Sequence, residues 1–72
     1  MSEGTDRLAA ARTRAAAAKA REIDTHRRAI EFHEQSAIYQ ARLGNHAAAA
    51  LERQRAGIVR ERLAEALLEG AG

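Results

Sequence analysis

The sequence predicts an all-α fold: a long antiparallel hairpin of two helices that dimerises into a four-helix bundle. The 72 residues contain no proline, and alanine, the strongest helix former, is abundant. No segment alternates polar and apolar residues with the period of two that a strand would show. One strong break interrupts the helical pattern, at Gly44-Asn45. We therefore expect two helices, over about residues 5–43 and 45–69.

The break, Arg42-Leu43-Gly44-Asn45-His46, combines a helix stop with a helix start. Gly44 has no Cβ and can adopt the left-handed conformation that closes a helix. The side-chain oxygen of Asn45 can accept hydrogen bonds from the first amides of the next helix. A connection this short makes the two helices antiparallel neighbours. A single continuous helix that tolerates one glycine is the alternative interpretation.

Length and composition limit the class of protein. A chain of 72 residues forms one domain, residues 1–72, and it buries only about 60% of its unfolded surface, so a monomer is marginally stable. It contains no cysteine, which leaves oligomerisation as the common stabilising device. There is no apolar run of membrane-spanning length and no apolar leader, so we expect a soluble, cytoplasmic protein. The preference for arginine over lysine is typical of bacteria with GC-rich genomes.

Residues 1–21 form an Ala/Arg-rich N-terminal helical extension that Ser2 or Thr5 can cap. Its basic residues, without an acidic residue between the first and the last, are Arg7, Arg12, Arg14, Lys19 and Arg21. Such a run would release counterions on binding a phosphate backbone, so a nucleic-acid-binding protein is an alternative function. No aromatic side chain lies among these residues for base stacking, which favours a solvated extension or a surface for a second helix.

Residues 22–43 carry two apolar stripes at helical spacing. The first consists of Ile23, Ile30, Ala37 and Ala41, and the second of Phe32, Ser36, Tyr39 and Leu43. Two stripes on one helix imply two neighbours, of which one is the second helix and the other is most simply a second copy of the chain. We therefore predict self-association through Phe32, Tyr39 and Leu43, together with the Ala-rich extension. The first helix is also too long for the second to cover fully.

His26, His33 and Gln40 lie between the two stripes at intervals of seven residues. We predict that His26 and His33 take part in self-association as polar positions that fix the register of the helices. Because histidine takes up a proton near pH 6.5, association would then be sensitive to acid. A metal-binding bundle that uses both histidines with Glu22, and with His46 as a further ligand, is an alternative. Only Glu22 and His26 have the spacing of paired ligands, so we predict no metal site and no cofactor.

Residues 45–69 continue as the second helix. Antiparallel packing sets Glu34 near Arg55, for which we predict an ion pair. Gly57 in mid-helix is either tolerated or marks the close approach of another helix. Two glycines near the C-terminus end the helix and leave residues 70–72 as a loose tail.

The segment 37–51, which reads AIYQARLGNHAAAAL, resembles the helix-turn-helix join of tetratricopeptide-like repeats, in which a Leu-Gly turn leads into an Ala-rich helix. The resemblance covers about a fifth of the chain and occurs once, whereas a stacked array needs several copies. It implies the hairpin and carries no ligand or partner with it.

The sequence shows no arrangement for catalysis. Its serine, threonine and tyrosine hydroxyls lack a histidine at a spacing that suits a relay, and no glycine-rich loop could cradle a phosphate. We therefore expect a non-catalytic protein that acts as a self-associating structural or regulatory interaction module. An unknown protein partner remains compatible with this interpretation, and nucleic-acid and metal binding are the alternatives.

Overall fold

The structure, a computed structural model, describes the chain from Glu3 to Ala71. Helix α1 spans Glu3–Arg42 and helix α2 spans His46–Ala71, and the two pack against each other in antiparallel fashion. The described residues include no β-strand, which confirms the predicted all-α hairpin. The molecule is long and narrow, with Cα extents of 66 × 17 × 10 Å. Dimerisation into a bundle stays a prediction.

The turn between the helices confirms the predicted break. Gly44 has a φ of 82°, in the left-handed region. Its amide donates to the Ala41 carbonyl at 3.0 Å, and the Asn45 amide donates to the Gln40 carbonyl at 2.9 Å. These two bonds form a Schellman motif, which satisfies the last carbonyls of α1. The Asn45 carbonyl accepts the first bond of α2, from Ala49, but its side-chain amide donates to Gln40 Oε1 at 2.9 Å. The side chain therefore closes the turn instead of capping α2 as predicted.

The two helices meet along alanines. The buried residues of the described chain are Ala37, Ala49, Ala56 and Ala66, and no large side chain among the described residues is fully buried. Ile23 and Ile30, from the first predicted stripe, are half-buried beside them, as are Val59 and Leu63 of α2. Small residues allow two helix backbones to approach closely, but they remove little apolar surface from water. The core of a single chain is therefore thin.

Helix α1 extends well past the end of α2. It has 40 residues and α2 has 26, a difference of about 21 Å at 1.5 Å per residue. The end of α2 lies opposite Lys19, whose Nζ is 2.9 Å from Glu69 Oε2. Residues 3–14, which we call the projecting segment, are all exposed. This segment is shorter than the predicted extension, because α2 covers α1 as far as Lys19. Met1 and Ser2 lie outside the described residues.

Two predicted helix ends differ from the structure. Thr5 lies inside α1, which already begins at Glu3, and the predicted cap at Ser2 lies outside the described residues. At the other end, Gly70 and Ala71 belong to α2, so the prediction that they form a loose tail is wrong. Gly70 remains helical where its backbone packs against the stem of Lys19, whose Cγ lies 3.7 Å from the point a Cβ would occupy. Gly72 lies outside the described residues.

Candidate functional site: an exposed apolar face

One ion pair across the hairpin defines one of its two long sides. Arg60 Nη2 of α2 lies 2.6 Å from Glu34 Oε2 of α1. The predicted pair of Glu34 with Arg55 is wrong, because Arg55 lies five residues before Arg60 and hence about 140° round the helix. Arg55 instead donates to Glu52 Oε1 at 2.6 Å, on the other side of the hairpin.

The opposite side carries exposed apolar residues from both helices. Phe32 lies two residues before Glu34, and Ile58 lies two residues before Arg60, so each points about 200° away from that ion pair. Intervals of seven or eleven residues, which return to nearly the same line of a helix, add three more side chains. We call this surface the apolar face and define it by Phe32 and Tyr39 of α1, Leu43 of the turn, and Leu51 and Ile58 of α2.

The apolar face is open to water in the single chain. The exposed fractions are 66% for Phe32, 61% for Tyr39, 57% for Leu43, 45% for Leu51 and 43% for Ile58. Soluble monomers rarely expose large apolar side chains side by side, and where they do the surface usually binds something. In chemical terms the face can exclude water from a partner helix, with two aromatic rings as anchors.

A polar cluster lies next to the apolar face, between the helices. His33 Nδ1 donates to Glu52 Oε2 at 2.7 Å, and the side chains are only 20% and 12% exposed. The His33 ring also meets the Phe32 ring edge-on, with 5.4 Å between centroids. The hydrogen bond from His33, supported by Arg55, holds the pKa of Glu52 below its ordinary value. This cluster joins the two helices and supports one aromatic ring of the face.

Both histidines predicted to take part in self-association are half-buried in the single chain. His26 is 22% exposed, and its Nε2 lies 3.8 Å from Glu22 Oε1 on the same helix. His33 bonds Glu52 of the same chain. His33 thus joins the two helices of one chain, whereas His26 contacts Glu22 within α1. The participation of both histidines in self-association stays a prediction. No group of three or more His, Cys, Asp or Glu residues close enough to hold a metal ion occurs between Glu3 and Ala71, so the metal-binding alternative gains no support.

The basic residues of the predicted extension do not form one cluster, because they lie on different sides of α1. Lys19 is held between Glu69 and Glu22, at 2.9 and 3.0 Å. The hydrogen bond to Glu69, and after it the one to Glu22, raise the pKa of Lys19. The same bond from Lys19 lowers the pKa of Glu22. Lys19 therefore joins the helices and is not a free cation.

The remaining basic residues of this stretch are exposed. Arg7, Arg14 and Arg21 follow one another at intervals of seven residues and so share one line on α1. Arg7 lies 3.4 Å from Glu3. Arg12 falls on a different line, so the structure does not bring all five predicted cations together.

A groove of about 580 Å³ runs along the side with the Glu34–Arg60 pair. Alanines of both helices form its floor, and Ile38, Arg42 and Arg53 contribute to its walls. With three guanidinium groups and one carboxylate, the groove is more polar than the apolar face and carries positive charge.

Sequence reasoning identified the α1 half of the apolar face and missed the α2 half. Leu51 and Ile58 are seven residues apart, which signals a shared line on a helix. Their relation to Phe32 depends on the rotation of α2 about its own axis. The Glu34–Arg60 contact fixes that rotation. The predicted pairing of Glu34 with Arg55 implied a different rotation of α2, and that rotation is wrong.

Comparison of the chain with protein-family models, with curated proteins and with solved structures gives no significant match. Neither of the two described helices is both long enough and apolar enough to cross a membrane. The arguments about function therefore depend on the chain's own surface.

Proposed function

We propose that this chain is a cytoplasmic, non-catalytic interaction module that associates with a second copy of itself through the apolar face. One observation carries the proposal. Five of the six exposed large apolar side chains in the turn-proximal half lie on one side, while the fully buried residues between the described helices are four alanines. A fold that leaves its large apolar residues outside gains most of its hydrophobic stabilisation only when another surface covers them.

The exposed area supports the same proposal. A compact folded protein of 7.8 kDa exposes about 4,400 Å², whereas this chain of 7.8 kDa exposes 5625 Å². The excess, on the order of 1,200 Å², exceeds the roughly 800 Å² that each partner buries in an interface of standard size. Association of two hairpins would bring the exposed area per chain close to that of a compact protein.

Light scattering after size-exclusion chromatography at pH 7.5 tests the proposal. We expect a particle of about twice the 7.8 kDa of one chain, and a double variant, Phe32→Ser with Tyr39→Ser, that elutes as a monomer. Aromatic anchors commonly contribute more than 2 kcal/mol each to an interface, so the dissociation constant of the double variant should rise by at least 100-fold.

Leu68→Ser is the matched control. Leu68 is the most exposed large apolar residue described, at 74%, but it lies about 80° round α2 from the line of Ile58. A variant at this site should keep the dimer mass. A wild-type protein that is monomeric at micromolar concentrations would refute the proposal, and equal effects of Leu68→Ser and the double variant would refute the assignment of the face. Circular dichroism establishes that each variant remains helical.

Nucleic-acid binding is a second candidate, supported by the shared line of Arg7, Arg14 and Arg21. The same chromatography distinguishes it, because a bound polyanion would add absorbance at 260 nm to the protein peak. Binding that depends on these arginines would fall steeply between about 50 and 200 mM salt. It would also survive the Phe32→Ser and Tyr39→Ser substitutions, which leave the arginines intact.

A further inference from the structure

We infer that the two copies pack face to face with both turns at the same end, so that α1 of each chain lies antiparallel on α2 of the other. The two-fold axis then runs parallel to the helices, along the centre of a four-helix bundle. This inference rests on the proposed self-association and adds its geometry.

The position of the apolar face along the hairpin is the first argument. The face occupies residues 32–43, at the end of α1 and the start of the turn, and residues 51–58 of α2, which is the half of the hairpin next to the turn. An axis perpendicular to the helices could bring two such faces together only by passing through that half, and the other half of each α1 would then point away from its partner. An axis parallel to the helices also brings the two apolar faces together and, in addition, sets the rest of each hairpin against its partner.

The projecting segment is the second argument. With both turns at one end, residues 3–14 of the two copies emerge side by side at the other end. An isolated helix this short is marginal in water. A perpendicular axis would leave each projecting segment alone at its own end of the dimer, whereas a parallel axis places the two segments at one end.

Charge is the third argument. Arg21 lies on the line of Phe32, eleven residues before it, and Glu65 lies on the line of Ile58, seven residues after it. Both side chains are exposed, and neither is within ion-pair distance of an opposite charge among the described residues. When α1 lies antiparallel on α2 of the second copy and Phe32 meets Ile58, Arg21 comes level with residue 69 and lies about 6 Å along the axis from Glu65, the rise of four residues. Charged side chains four residues apart on one helix form ion pairs over the same rise. A perpendicular axis through the apolar face carries Arg21 beyond the end of the other chain.

Distances between spin labels test the orientation, and the absence of cysteine allows one label per chain. We would label Ala10→Cys in the projecting segment and His46→Cys at the start of α2, because both positions are exposed. We expect both label-to-label distances in the dimer to be within about 30 Å, roughly three helix diameters. A perpendicular axis through the apolar face would leave the labels at position 10 on the order of 80 Å apart, at 1.5 Å per residue.

Each outcome has one meaning. Two label-to-label distances within about 30 Å support the arrangement with both turns at the same end. A much longer distance at either position overturns that arrangement but leaves the dimer itself in place. Light scattering on the labelled proteins separates this result from failure of the proposed function, since a monomeric mass with no dipolar coupling would refute the self-association itself.

Discussion

Gly44 and Gly57 show how the same substitution acts in opposite directions at two residues of one chain. Gly44 has a positive φ, so Gly44→Ala should lower the free energy of unfolding by about 1–2 kcal/mol. Gly57 lies in mid-helix with no atom within 4 Å of an added Cβ, so Gly57→Ala should raise that free energy by about 0.5–1 kcal/mol. Urea denaturation at one protein concentration measures both. If Gly57→Ala destabilised the protein, the second interpretation of this glycine would apply, in which another helix packs closely against it.

At the scale of the helices, the contact of His33 with Glu52 connects α1 to α2 and responds to acid. The folded pKa of Glu52 is depressed, so its stabilisation is complete above the ordinary glutamate pKa of about 4.3 and is lost as the pH falls below that value. Glu52→Gln should therefore lower stability at pH 7 and flatten the loss between pH 5 and pH 3. Urea unfolding at these pH values measures the effect. Glu31→Gln, at an exposed site, is the control, and an equal flattening in that variant would contradict the role of Glu52.

The helices themselves could be predicted from the sequence, whereas their rotation could not. Alanine content and Gly44 determine where α1 and α2 begin and end, because both act within a few residues of chain. The pairing of Glu34 with Arg60 depends on how closely the alanines of two distant segments approach, and no local pattern reports that distance. For the same reason the apolar face was only half recognised: Phe32 and Tyr39 share a helix, but Leu51 and Ile58 join them only through the packing.

At the scale of the whole molecule, a thin alanine core and an open apolar face make stability depend on concentration. A partner that binds only the folded chain stabilises it by mass action, so the melting temperature should rise steadily as the protein concentration increases about 100-fold. Circular dichroism melts over that range measure the slope. The Phe32→Ser and Tyr39→Ser double variant should melt at a lower temperature that no longer changes with concentration, because its chains unfold as monomers. A wild-type melting temperature independent of concentration would mean that the alanine core alone holds the hairpin together.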